Sequence, residues 1–307
     1  DGKSLVYVSW SDDNRGSIMK YSIPDSSFMR LSTEKGYYYS PKFSNKGDKI
    51  VYRKGVGNDV LGYAFGKNPG IYMIPANGGT PTLILNNGIR PSFNTNDTRI
   101  FFQSTEADKK ALKSMDLNGG NIRTHYTSTY ANAFSPSPDG KWIAFTELFN
   151  VYITPFASTG MALDLSSNNK SLPLTKVSKD AGTYIHWSKD SQRLNWTLGP
   201  KYFSKDINSS FSFLAGNEKI AKSDSLGLDI DLRLKSDIPD SKIAITNARI
   251  ITMKGDEVIE NGTIVIDKNK ITAIGTNVSL PEGARVINAS GKTIMPGIID
   301  VHSHLRA

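Results

Sequence analysis

Ser137-Pro138-Asp139-Gly140-Lys141-Trp142-Ile143-Ala144-Phe145 is a turn that runs directly into a strand. Pro fixes its φ, Asp offers a local acceptor and Gly accepts a positive φ. The Trp-Ile-Ala-Phe run after it has the aromatic and β-branched content of a pleated, buried segment. The same phrase recurs without gaps as Ser44-Asn45-Lys46-Gly47-Asp48-Lys49-Ile50-Val51-Tyr52, as Asn94-Thr95-Asn96-Asp97-Thr98-Arg99-Ile100-Phe101-Phe102, and as Ser188-Lys189-Asp190-Ser191-Gln192-Arg193-Leu194-Asn195-Trp196. Asp1-Gly2-Lys3-Ser4-Leu5-Val6-Tyr7 matches the tail of a fifth copy.

Working outward, the copies are spaced by about 40–50 residues, the length of a four-stranded propeller blade and too long for a helical hairpin repeat. Further short strands lie between them, such as Gly70-Ile71-Tyr72-Met73-Ile74-Pro75 and Ser114-Met115-Asp116-Leu117. Asn77-Gly78-Gly79 and Asn118-Gly119-Gly120 follow these strands and supply the positive-φ positions of tight hairpins. No stretch carries a helical period. The fold class this predicts is mainly β: a partial β-propeller of about four to five visible blades over residues 1–205.

From 206 to 242 the repeat stops. Polar runs around Asn208-Ser209-Ser210 and Lys222-Ser223-Asp224-Ser225 read as linker. Leu226, Leu228, Ile230, Leu232 and Leu234 alternate there with polar residues, the pattern of a half-buried strand that either joins the propeller's last sheet or bridges to the next domain. After Pro239, short strands separated by Lys254-Gly255-Asp256 and Pro281-Glu282-Gly283 predict a small β-sandwich over 243–297, with 298–307 as the start of a further element.

Composition narrows the function classes. The net charge of +8 comes from scattered Lys and Arg with no basic run, which gives no nucleic-acid arm and no polybasic anchor. With no cysteine, thiol catalysis and thiolate metal sites are excluded, and any metal must be held by His, Asp, Glu or a modified Lys. No segment has the length and apolarity of a membrane span. No Gly-x-Ser-x-Gly elbow occurs, which removes the serine-peptidase reading of a propeller-capped enzyme. Asp1-Gly2-Lys3 reads as a beginning in mid-domain, so the chain is expected to be truncated at both ends.

The repeated Ser-Pro-Asp-Gly-Lys phrase resembles the blade signature of TolB-type propellers, over residues 1 to 205. Four later phrases resemble, in order, the N-terminal strands of the amidohydrolase superfamily: Ile245-Thr246-Asn247-Ala248-Arg249-Ile250-Ile251-Thr252, Glu260-Asn261-Gly262-Thr263-Ile264-Val265-Ile266, Ile271-Thr272-Ala273-Ile274-Gly275, and Gly291-Lys292-Thr293-Ile294-Met295-Pro296-Gly297-Ile298-Ile299-Asp300-Val301-His302-Ser303-His304. The resemblance implies that Ile298 to His304 is the first strand of a truncated (β/α)₈ barrel, and that the parent protein hydrolyses carbon–nitrogen bonds with a metal-activated water.

His302 and His304, two apart in a strand, project to one side and are the candidate metal ligands. Asp300 shares their parity and has two open roles, orienting a ligand imidazole or touching the metal itself. Arg306 has a candidate role on a substrate carboxylate, as in family members with His-x-His-x-Arg, against that of an ordinary loop residue. The family's remaining ligands, a carboxylated Lys or Glu and two further His, and its Asp general base have no counterpart before Ala307. The resemblance implies a divalent metal, zinc, as one or two ions; a catalytic zinc normally has three protein ligands, so the chain as given is expected to be inactive alone. It also implies a small amide or peptide-like substrate, a propeller that binds substrate or a protein partner, and a periplasmic or secreted location. The competing reading is a non-catalytic propeller scaffold with a degenerate hydrolase domain. His125, His186, Trp142, Trp187 and Trp196 lie among the propeller strands and read as structural.

Overall fold

The computed structural model describes residues 2–214, 227–230 and 235–301. The chain separates into two compact units, Asp1–Asp231 and Leu232–Ala307. Regular structure among the described residues is all strand.

Four of the turn-plus-strand phrases form the same hairpin. The first residue of each, Ser44, Asn94, Ser137 or Ser188, accepts on its side-chain oxygen the backbone N–H five residues on, at 3.0, 2.9, 2.9 and 3.0 Å. Its own N–H donates to the carbonyl of that same partner residue. A side chain with an acceptor one or two bonds from Cβ is therefore required at this position, and the sequence offers only Ser or Asn. The fourth residue, Gly47, Asp97, Gly140 or Ser191, has φ of 75°, 58°, 72° or 62°. That left-handed conformation costs an L-residue roughly 1–2 kcal/mol and glycine very little.

The described strands of the first unit form five sheets. The first contains Ser4–Ser11, Arg15–Ser22 and Ser27–Arg30, and the second Tyr38–Phe43, Lys49–Lys54, Gly70–Pro75 and Thr82–Leu85. The third runs Ile89–Phe93, Arg99–Glu106, Lys109–Asp116 and Arg123–Ser128, with Leu163–Asp164 added in parallel at its edge. The fourth holds Ala131–Pro136, Trp142–Glu147, Asn150–Pro155 and Thr175–Lys176, and the fifth Thr183–Trp187, Arg193–Leu198, Lys201–Asp206 and Leu228–Asp229. Neighbouring strands within each are otherwise antiparallel.

Strand alternation stacks these sheets as blades. Successive side chains point to opposite faces, and each repeat strand feeds two different cores. Ile50 and Tyr52 pack with Ile18 of the first sheet and Leu31 just after it, whereas Val51 packs with Ile100, Phe102 and Met115 of the third. Ile143 and Phe145 join Leu112 and Tyr126 of the third, whereas Ala144 joins Leu194 and Trp196 of the fifth. A strand apolar on both faces is thus sandwiched between neighbours, which explains why the repeat reads as a continuous apolar run. Burying one such Leu, Ile or Phe side chain contributes about 1.5–3 kcal/mol.

Side chains also tie neighbouring blades. Asp97 Oδ1 accepts from Asn45 N at 2.8 Å and from Asn45 Nδ2 at 2.9 Å, and its Oδ2 accepts from Lys46 N at 3.0 Å. Ser191 Oγ accepts from Asp139 N at 3.0 Å. At the opposite end of the sheets Arg53 donates to the Gly88 carbonyl, and Arg90 donates to the Asn132 carbonyl at 3.0 Å.

Of the alternating segment, Leu226, Leu232 and Leu234 lie outside the described residues. Leu228–Asp229 pairs antiparallel with Lys201–Tyr202 as the outermost strand of the fifth sheet. Its expected half-burial is not found: Leu228 is 69% exposed and Ile230 is exposed too, because nothing among the described residues covers the face on which these two side chains stand.

The described strands of the second unit, Lys242–Ile251, Val258–Asp267, Lys270–Gly275, Arg285–Asn288 and Thr293–Ile294, make a single sheet. Lys242–Ile251 is central, antiparallel to Val258–Asp267 on one side and parallel to both Arg285–Asn288 and Thr293–Ile294 on the other. Its hairpin with Val258–Asp267 holds two compensating bulges, one at Asn247 (φ 59°) and one at Asn261 (φ 49°). These bend the pair so that Ala248, Ile250, Ile264 and Ala289 close a small core.

Candidate functional site

The path to the His-x-His motif is fixed as far as Ile294. Thr293 and Ile294 pair with Arg249 and Ile250, Arg249 N donates to the Lys292 carbonyl at 3.0 Å, and Ile294 packs against the small core. Arg249 Nε also donates to Glu260 Oε1 at 3.0 Å, which braces the same strand from its other neighbour. From Ile298 to Val301 there is no strand: Ile298 and Val301 are 91% and 95% exposed. A parallel barrel strand takes its hydrogen bonds from two flanking barrel strands, and none is present among the described residues. Asp300 is exposed on this segment. His302, His304 and Arg306 lie outside the described residues.

The two histidines of the propeller have structural partners. His125 Nε2 lies 2.7 Å from Ser114 Oγ, and its ring packs edge-on to Phe101 with the centroids 5.4 Å apart. Burial, then the charges of Arg99 and Arg123, hold its pKa below the ordinary imidazole value. Arg99 Nε donates to the same Ser114 Oγ, so the serine proton is available to a neutral His125. His186 Nδ1 lies 2.8 Å from the Tyr184 carbonyl, which can only accept, so this nitrogen carries a proton, and Nε2 lies 3.2 Å from the Tyr202 hydroxyl. No group of three His, Asp or Glu with metal-site geometry occurs among the described residues.

A second constellation has no counterpart in the motif reading. Second and third strands of the third and fourth sheets are joined by two residues, Ala107-Asp108 and Leu148-Phe149, whereas in the second sheet the chain runs from Lys54 to Gly70 through a long loop. This loop crosses to the first blade. Its Phe65 ring receives the Arg15 guanidinium at 5.5 Å and the Lys35 ammonium at 5.9 Å, and Arg15 also lies 6.0 Å from the Trp10 ring. The signal available in the sequence was the glycine-rich interval 55–66 between two strands that elsewhere are almost contiguous. Aromatic and basic residues distant in sequence gave no hint that they would meet.

Comparison with known proteins finds two kinds of likeness. No family model matches it. Imidazolonepropionase of Vibrio cholerae is 38% identical over 65 residues, 20% of this chain and 16% of that enzyme. Dihydroorotase of Streptomyces coelicolor is 41% identical over 66 residues, and 5'-deoxyadenosine deaminase of Methanosarcina acetivorans 43% over 63; each match covers 14% of the enzyme. Among solved structures, TolB from Acinetobacter baumannii superposes with a TM-score of 0.52 at 15% identity, covering 89% of this chain and 65% of that one. The chain joins a TolB-like propeller to an amidohydrolase-like segment. The propeller likeness is one of fold. The amidohydrolase likeness is one of sequence, and this chain spans about a sixth of the length of those enzymes.

Proposed function

We propose that the protein carrying this chain is a metal-dependent amidohydrolase that hydrolyses a carbon–nitrogen bond of a small amide or cyclic amide, with the TolB-like propeller as an appended module that screens or positions substrate. The reading is carried by the local identity of 38–43% to three enzymes, two of them named for cyclic amides and the third for the deamination of a nucleoside, together with the tail Asp300-Val301-His302-Ser303-His304. We place it outside the cytoplasm, by analogy with the propeller fold alone.

The donor set fits a borderline metal such as zinc: two neutral imidazoles two residues apart, with a carboxylate two before them and no thiolate. When bound, the metal would supply Lewis acidity, lowering the pKa of water and polarising the scissile carbonyl. His302 and His304 would hold it, each fixed in tautomer by a partner on its other ring nitrogen. Asp300 would be either such a partner or a third ligand, and Arg306 would pair with a carboxylate of the substrate. In the sheet that leads to the motif, the pairing of Thr293–Ile294 with Arg249–Ile250 sets where this segment starts.

The test uses the full-length protein. His302→Ala and His304→Ala should each remove bound zinc, read by elemental analysis, and reduce turnover on a dihydropyrimidine or imidazolone amide by at least about a thousandfold, the scale of removing a metal from such a reaction. Normal zinc content with unchanged turnover would overturn the ligand assignment. Full zinc with no turnover on any cyclic amide would favour the non-catalytic scaffold.

A further inference from the structure

We propose that the first and second blades together form a binding site for a small carboxylate that carries an aromatic ring, built on Arg15, Lys35, Trp10 and Phe65. Arg15 lies between two aromatic faces, with Trp10 and Phe65 at 6.0 and 5.5 Å, and Lys35 approaches the same Phe65 ring at 5.9 Å. Two cations thus converge on one ring. Among the described residues no carboxylate pairs with either of them, and Lys35 donates only to the Asp13 carbonyl at 2.6 Å. The acids nearby are engaged elsewhere: Glu34 with Lys54 at 2.7 Å and Asp59 with the Tyr63 hydroxyl at 2.8 Å. Asp12 and Asp13 stand in the turn before Arg15 without an ion pair to it. A guanidinium stacked on rings keeps its N–H edge for a planar acceptor, and a carboxylate meets that fork with two parallel bonds.

The site is preformed. The Tyr37 hydroxyl lies 2.8 Å from both the Leu61 and the Gly62 carbonyl oxygens and shares its proton between them, and Tyr37 stacks on Trp10 at 5.9 Å. Asn58 Oδ1 accepts from Val60 N and Leu61 N at 3.0 and 2.8 Å. The loop folds so closely on itself that a Cβ at Gly57 would stand 2.1 Å from the Gly62 oxygen, and one at Gly66 2.0 Å from the Val56 oxygen. On the facing blade, Gly16 N donates to the Gly36 carbonyl at 2.8 Å, and this contact brings Lys35 beside Arg15. Arg15 itself sits at φ 59°, a conformation that Asn or Gly occupies with less strain, so its presence there answers to its side chain and not to the turn. Trp10 is 41% exposed, which leaves part of its ring open to an incoming aryl group.

The test is a titration of the full chain, followed through the Trp10 indole Nε1–H resonance, which all the variants keep, with 3-phenylpropionate, its uncharged amide and inorganic phosphate as probes. The expected result is a saturable shift with 3-phenylpropionate and at least about tenfold weaker binding of the amide and of phosphate, the loss expected from deleting one charge-assisted contact or one ring contact. Arg15→Asn should abolish the response while the melting temperature stays equal or rises, since Asn tolerates the backbone; Lys35→Gln should weaken binding without abolishing it. An absence of saturable binding would overturn the proposal, as would binding unchanged in Arg15→Asn. Phosphate binding as tightly as 3-phenylpropionate would replace it with a bare anion site.

Discussion

Asp97 allows the coupling between blades to be measured. It occupies the left-handed turn position that Gly47 and Gly140 fill in other copies, at φ 58°, and its carboxylate receives three donors from the preceding turn at 2.8, 2.9 and 3.0 Å. Hydrogen bonds to a charged group contribute about 1.5–3 kcal/mol when shielded and less at an exposed turn, so the three together amount to about 2–3 kcal/mol. Asp97→Ala loses these bonds and keeps the backbone strain, for a cost of about 2–3 kcal/mol. Asp97→Gly loses the same bonds but relieves about 1 kcal/mol of strain, leaving a cost of about 1–2 kcal/mol. At about 2–4 °C per kcal/mol for a unit of this size, the alanine variant should melt about 4–12 °C below wild type and the glycine variant about 2–4 °C above the alanine. Thermal unfolding followed by circular dichroism, with urea midpoints as a second measure, checks both. If the two variants coincide, the turn holds no strain for glycine to relieve; if Asp97→Ala melts with wild type, the carboxylate does not couple the blades.

The Leu148-Phe149 hairpin places two bulky, exposed side chains, 63% and 67% accessible, at φ of 45° and 68° where Asn-Gly is the favoured pair. Leu148→Asn with Phe149→Gly should therefore raise stability by about 1–2 kcal/mol, readable as a higher urea midpoint, and a lower midpoint would show that these side chains are anchored. His125 is held below the ordinary imidazole pKa, chiefly by burial and then by Arg99 and Arg123. The unfolded chain thus takes up a proton near pH 6.5 that the folded chain refuses until lower pH, so its contribution is complete above about pH 6.5 and is lost as pH falls through the folded value. In His125→Gln the urea midpoint should fall less steeply between about pH 7 and pH 5 than in wild type; identical slopes would mean that His125 titrates alike in both states.

Much of the fold was legible because its units are local. The Ser or Asn that opens each turn, the left-handed residue three positions later and the strand after it satisfy one another within nine residues, so each copy announces itself wherever the chain goes. The strands at 243–295 were legible for the same reason, and His125 and His186 read as structural because neither has a second ligand-type residue at strand spacing. The exposure of Leu228 was not, since alternation shows that a strand has two kinds of face but not whether a neighbour covers either.

The period, the turn chemistry and the His302-Ser303-His304 tail could all be read along the chain, each being a relation among residues a few positions apart or a repeat of one. It took the folded molecule to show that Ile50 and Val51 serve different cores, that Asp97 receives the donors of Asn45 and Lys46, and that Phe65 comes to rest against Arg15 and Lys35. Those meetings depend on how one blade stacks on the next. That stacking is fixed by apolar area summed over whole sheets, a quantity that no local stretch of sequence contains.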